Sequence, residues 1–89
     1  MNRYESIIIT KPTITEEEKI SILKNVEEIV GVTEVIDIGI KKLAYEVKKH
    51  KEGYYIEFCI NAEKEQITEL EKYYRMEDLI LKFMNVRED

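Results

Sequence analysis

The chain has 89 residues, of which 44% are hydrophobic and 37% charged, and its 14 basic and 19 acidic side chains give a net charge of −5. This is one domain's worth of sequence with a modest core, ordered in composition, and its acidity argues against indiscriminate nucleic-acid binding. No apolar run approaches the ~20 residues of a membrane span, Met1–Glu5 lacks the apolar stretch of a signal or transit peptide, and the single Cys59 excludes an internal disulfide or a multi-cysteine metal site, so the chain is cytoplasmic in character.

Residues Arg3 to Thr10 are rich in aromatic and β-branched side chains and predict a strand; Ile7-Ile8-Ile9 fits a central strand buried on both faces. Lys11-Pro12-Thr13 breaks it. Thr15 followed by Glu18 is a capping box, and Glu16, Glu17 and Glu18 place negative charge where the helix dipole favours it. The helix runs to about Val30 on a stripe of Ile22, Leu23, Val26, Ile29 and Val30, with Gly31 available as its left-handed C-terminal cap. Val32 to Lys49 is extended. Its apolar parity changes between Ile40 and Leu43, which predicts a bulge near Gly39. Lys49 to Gly53 predicts a hairpin loop, and Tyr54, Ile56, Phe58 and Ile60 then alternate as a half-buried strand. Asn61 is placed to cap a second helix ending at Tyr74, with Ile67, Leu70 and Tyr73 or Tyr74 on its inner face; Leu79 to Arg87 returns as a last strand.

The order β-α-β-β-α-β predicts an α+β, ferredoxin-like single domain over residues 1–89. Its right-handed crossovers give a four-stranded antiparallel sheet with both helices on one face, the first and third strands central, the second and fourth at the edges. The helices are net acidic. From Lys41 to Lys51, five lysines and one acid give +4 in eleven residues, either a local anion-binding stripe or an ordinary solvated hairpin.

That architecture serves enzymes, regulatory modules and RNA binders alike, so function rests on side chains. Nucleophile elbows, phosphate-binding glycine loops and His-Glu metal motifs do not occur, and the glycine-flanked phosphate loop of acylphosphatases is missing. His50 reads as a solvated loop histidine and Cys59 as a small buried hydrophobe. No catalysis, cofactor, metal or small-molecule substrate is expected. Base stacking in the manner of an RNA-recognition motif is also poorly served by Glu52-Gly53-Tyr54-Tyr55-Ile56-Glu57-Phe58: Glu52 replaces a base and Ile56 the second stacking ring, so Tyr54 reads as strand packing.

Gly39-Ile40-Lys41-Lys42-Leu43-Ala44-Tyr45-Glu46-Val47-Lys48 resembles the signature of the bacterial small-subunit ribosomal protein six family. Arg3-Tyr4-Glu5, Gly53-Tyr54-Tyr55 and Leu81-Lys82-Phe83-Met84 agree with that family in order and spacing, so the resemblance spans nearly the whole chain. Departures are Glu46 for proline, Val47 for isoleucine and Lys82 for arginine; the last keeps charge but loses a bidentate fork for phosphate. The chain also stops at Asp89, where members often carry a longer acidic tail. The resemblance implies a structural protein of the ribosome that binds the central domain of 16S ribosomal RNA together with small-subunit ribosomal protein eighteen. Under that reading Arg3, Lys82 and Arg87 are the expected phosphate contacts, with Lys41 and Lys42 secondary. Tyr45 with Lys48 is the expected partner contact on the second strand, unless Tyr45 packs into the domain's own core. The rival reading is a homodimeric regulatory module that binds a small metabolite through its sheet edges.

Overall fold

The computed structural model describes residues 1–88. Its elements are β1 (Asn2–Thr10), α1 (Glu16–Glu27), β2 (Gly31–Val47), β3 (His50–Ala62), α2 (Lys64–Met76) and β4 (Ile80–Glu88). They form one four-stranded sheet in the order β2-β3-β1-β4, every pairing antiparallel. The expected fold and the expected edges are both present.

The alternation of β1 divides its residues cleanly between the two faces of the sheet. Tyr4, Ser6, Ile8 and Thr10 are buried beneath the helices, whereas Arg3, Glu5, Ile7 and Ile9 lie on the other, open face. The strand is central, yet Ile7 and Ile9 are only half-buried, so β1 is buried on the helix face alone and not on both faces as expected, because no layer covers the other side of the sheet. From β3, Ile56, Phe58, Ile60 and Ala62 join the buried side. The helices close it with Ile22 and Val26 from α1 and Leu70 and Tyr74 from α2. Two polar groups inside this core satisfy each other: Ser6 Oγ and Tyr74 Oη are 2.7 Å apart, and burial pushes the Tyr74 phenol well above its ordinary pKa.

Local chemistry sets the boundaries. Both arms of the capping box form: Thr15 Oγ1 accepts the Glu18 N–H at 3.1 Å and Glu18 Oε1 accepts the Thr15 N–H at 2.9 Å. The helix ends three residues short of Val30, with Glu28 as a right-handed C-cap, so Gly31 is the first residue of β2 and caps nothing. The second helix is capped by Glu63, whose N–H donates to Gln66 Oε1 at 2.7 Å; Asn61 remains in β3, paired with Arg3 and Gly31. The expected bulge is present, since the β2–β3 register shifts between Asp37 and Gly39 and Gly39 adopts φ +102°.

The hairpin differs most from expectation. Val47 pairs with His50, so the turn consists of Lys48 and Lys49 alone, both with positive φ (49° and 68°). His50 belongs to β3, and Gly53 is a strand residue opposite Lys41. The pairing of β1 with β3 ends at Thr10 and Tyr54, so from Leu43 to Glu52 the hairpin projects as a two-stranded arm.

Candidate nucleic-acid and partner interface

The open face of the sheet carries side chains from all four strands, and its charge changes along the strand direction. At one end Arg3 stands opposite Asn61 and Glu88, and the next row sets Glu5 opposite Cys59 and Val86, with Glu34 beyond Cys59. Glu57 follows, between Ile7 and Ile36. The hydrogen bond that a protonated Glu5 donates to Glu88, and then the charge of Glu57, raise the Glu5 carboxyl above the ordinary carboxylate range. Cys59 is half-exposed here, not buried as its sequence suggested, because it falls on the open side of the alternation. Burial and then the charge of Glu34, whose Oε1 lies 3.9 Å from Sγ, push its thiol up, which makes it a poor nucleophile.

The opposite end is basic and aromatic. Lys82 faces Ile9, which faces Tyr55, and the Lys41 ammonium lies 6.0 Å from the Tyr55 ring centre. Lys42, opposite Glu52 and so on the other face from Lys41, and Tyr45 on the arm are both exposed, and Tyr45 at 86% exposure is no part of the core. Arg3 and Lys82 therefore share a face but sit six β1 residues apart, about 20 Å at the rise of an extended strand. Arg87 is paired with Tyr4 and so lies on the helix side, where its guanidinium donates to Asn2 Oδ1 at 3.0 Å. The fold thus sets the three expected phosphate contacts apart, Arg3 and Lys82 toward opposite ends of one face and Arg87 on the other. Tyr54, considered above for stacking, faces the helices, and its hydroxyl donates to Asp37 and accepts from Lys19 Nζ at 3.0 Å. That hydroxyl and, secondarily, the Lys19 ammonium hold the Asp37 carboxyl below its ordinary range and fasten α1 to the β2 edge.

A second surface was not visible from the sequence. Along β2, Val35, Ile38 and Ile40 are 45%, 39% and 55% exposed, and Ile20 of α1 is 51% exposed. Ile20, Leu23 and Val35 line a shallow groove of about 150 Å³ between the helix and this edge strand, with Glu16, Lys19 and Asp37 on its rim. The signal was the apolar content of both parities of β2 (Val35, Ile36, Ile38, Ile40), more than one covered face requires. Among the described residues, no group of three or more His, Cys, Asp or Glu side chains is arranged to hold a metal.

A four-stranded antiparallel sheet under two helices, with an exposed basic-aromatic end and an uncovered apolar edge, defines a small α+β binding module. A family model described as ribosomal protein S6 matches residues 3–87. The chain is 42% identical to the small ribosomal subunit protein bS6 of Helicobacter acinonychis over all of its own length and 66% of the relative's. It is 41% identical to the same protein of Helicobacter pylori, covering 98% of this chain and 65% of that one, and 33% identical to that of a Sulfurovum species, covering 98% and 72%. The crystal structure of 30S ribosomal protein S6 from Thermotoga maritima superposes with a TM-score of 0.85 at 30% identity, covering 98% of this chain and 87% of that one. The chain belongs to the ribosomal protein S6 family. It spans just under two thirds of the length of its Helicobacter relatives.

Proposed function

We propose that this chain is a structural, non-catalytic constituent of the small ribosomal subunit in the bacterial cytoplasm, and that it binds the central domain of 16S ribosomal RNA jointly with small-subunit ribosomal protein eighteen. Family membership over residues 3–87 carries the reading. The charge distribution supports its cooperative form. A body of net charge −5 repels phosphate in general, while Lys41 and Lys82 offer a local anion-binding end and Lys42, Arg3 and Arg87 add separate points of attachment. A basic partner seated on the β2 edge covers the apolar strip of Ile20, Val35 and Ile40 and offsets Glu16 and Asp37, so RNA affinity rises once it is present. Tyr45, exposed on the arm that extends this edge, and Lys48 beside it are the anchor and rim of that contact in this reading.

The test is a titration of labelled central-domain 16S RNA with the chain, with and without protein eighteen, at two salt concentrations. Tight, salt-sensitive binding only when both proteins are present is the expected result. Absence of binding to correctly folded RNA in either condition overturns the proposal, and a stable dimer of the chain alone with ligand-dependent melting favours a regulatory module instead.

A further inference from the structure

Tyr54 turns to the helices, so strand alternation turns its neighbour Tyr55 to the open face. Tyr4, Phe58 and Phe83 all fall on the helix side, which leaves Tyr55 as the aromatic side chain of the open face within the four-stranded part of the sheet. The ring is half-exposed. Two of its four neighbouring positions carry no side chain: Gly39 stands directly opposite on β2, and Gly53 lies two residues back along β3. At Gly39 nothing lies within 4 Å of where a Cβ would sit. Ile9 of β1 is the third neighbour and Glu57 the fourth.

Cations stand on two sides of this ring. Lys41, opposite Gly53, holds its ammonium 6.0 Å from the ring centre. Lys82 lies across Ile9, its backbone two strands and so about 10 Å from that of Tyr55. Neither lysine has an ion-pair partner among the described residues.

A half-exposed ring bordered by bare backbone leaves apolar area in water and contributes less to folding than a buried one. A nucleobase that stacks on it covers that area, and every base has a π-face with which to do so. The 6.0 Å separation puts Lys41 at the outer limit of a cation–π contact, so its ammonium leaves the ring for a phosphate at little cost. Paired bases already stack on one another, so the matching ligand is an unpaired nucleotide in a loop or bulge.

We infer that Tyr55 stacks on one unpaired base of ribosomal RNA, with Lys41 and Lys82 serving the phosphates on either side of that nucleotide. The inference rests on the proposed RNA-binding function. It adds to the lysines, which attract any phosphate, a contact that separates single-stranded from paired RNA.

The experiment titrates labelled central-domain 16S RNA with the intact chain and protein eighteen over a range of salt concentrations, for wild type and for Tyr55→Leu, Tyr55→Phe and Tyr55→Trp. Tyr55→Leu is expected to weaken binding roughly 5- to 150-fold, the worth of one base–aromatic stack. The slope of log K against log salt should stay the same, because no charge is lost. Tyr55→Phe keeps the ring and should bind like wild type. Lys41→Gln and Lys82→Gln should instead reduce the slope by about one unit each, or somewhat less on unpaired RNA. The chain has no tryptophan, so the emission of Tyr55→Trp reports on this position and should be quenched when RNA is added. If wild type binds and Tyr55→Leu matches it, stacking is wrong and the RNA-binding proposal stands. Equal losses in Tyr55→Leu and Tyr55→Phe overturn stacking too, since the second retains the ring. A weaker complex of Tyr55→Leu with protein eighteen in the absence of RNA assigns this face to the protein partner and also overturns the inference. If wild type with its partner does not bind folded RNA, both proposals fall together. Should Tyr55→Leu melt well below wild type, the emission of Tyr55→Trp decides, and no quenching by RNA rules stacking out.

Discussion

Gly53 provides the sharpest test of how this sheet is packed. Its φ is not positive, so the strand conformation alone does not require glycine. The constraint is space: a Cβ built at this position lies 2.3 Å from Ile9 Cγ2, 3.3 Å from the Thr10 carbonyl oxygen and 3.5 Å from Leu43 Cδ2. Gly53→Ala therefore forces the branched Ile9 side chain off the place where it lies against the bare glycine. Overpacking of this kind costs about 1–3 kcal/mol, while replacing a mid-strand glycine by alanine returns roughly 0.5–1 kcal/mol of backbone entropy. The net loss is about 1–2 kcal/mol, which at a urea m-value of ~1 kcal/mol/M lowers the midpoint by roughly 1–2 M with m unchanged. Ile9→Ala removes the offending methyl. In that background Gly53→Ala should be neutral or slightly stabilising, giving a coupling energy of about 1–3 kcal/mol in the double-mutant cycle. An equal cost in both backgrounds, or no cost in the wild type, would refute the steric argument.

Three further outcomes are expected. Tyr74→Phe leaves the fully buried Ser6 hydroxyl without its 2.7 Å partner and should destabilise the fold by about 1–3 kcal/mol in urea denaturation, while Ser6→Ala combined with it should recover part of the loss. The Glu5 carboxyl, raised by Glu88 and Glu57, holds its proton longer in the folded state than in the unfolded one. Stability therefore declines as pH rises from the ordinary carboxylate range through the raised folded value; Glu5→Gln should flatten that decline and raise the melting temperature at pH 7, and identical melting across the window would contradict it. Tyr45→Ala should leave the melting temperature unchanged, because the ring is 86% exposed, and weaken the complex with protein eighteen; a normal complex would show that the ring is no anchor.

Much of the fold was legible because its signals are local. Thr15 and Glu18 cap one helix through bonds between near neighbours, and the parity change around Gly39 marks its bulge. What failed depended on register. Whether Gly53 belongs to a loop or a strand turns on how far β2 and β3 stay paired, and two lysines are not a recognisable turn sequence. The site was harder to read for the same reason. Arg3 and Arg87 stand near β-pairing neighbours, yet strand parity sends them to opposite faces, and Cys59 lies open among carboxylates because it alternates with Phe58 and Ile60.

The arm from Leu43 to Glu52 has a dynamic consequence. A two-stranded ribbon without a third strand beside it is marginal by itself, so its amides open to solvent with far less free energy than those of β1, which is bonded on both sides. Hydrogen exchange should find the protein divided into a slowly exchanging sheet and a quickly exchanging lever that carries Tyr45 and Lys48. Ordering that lever consumes part of the free energy of every complex it enters. Whichever ligand arrives first and quenches its motion makes the second association easier, with no displacement of the core.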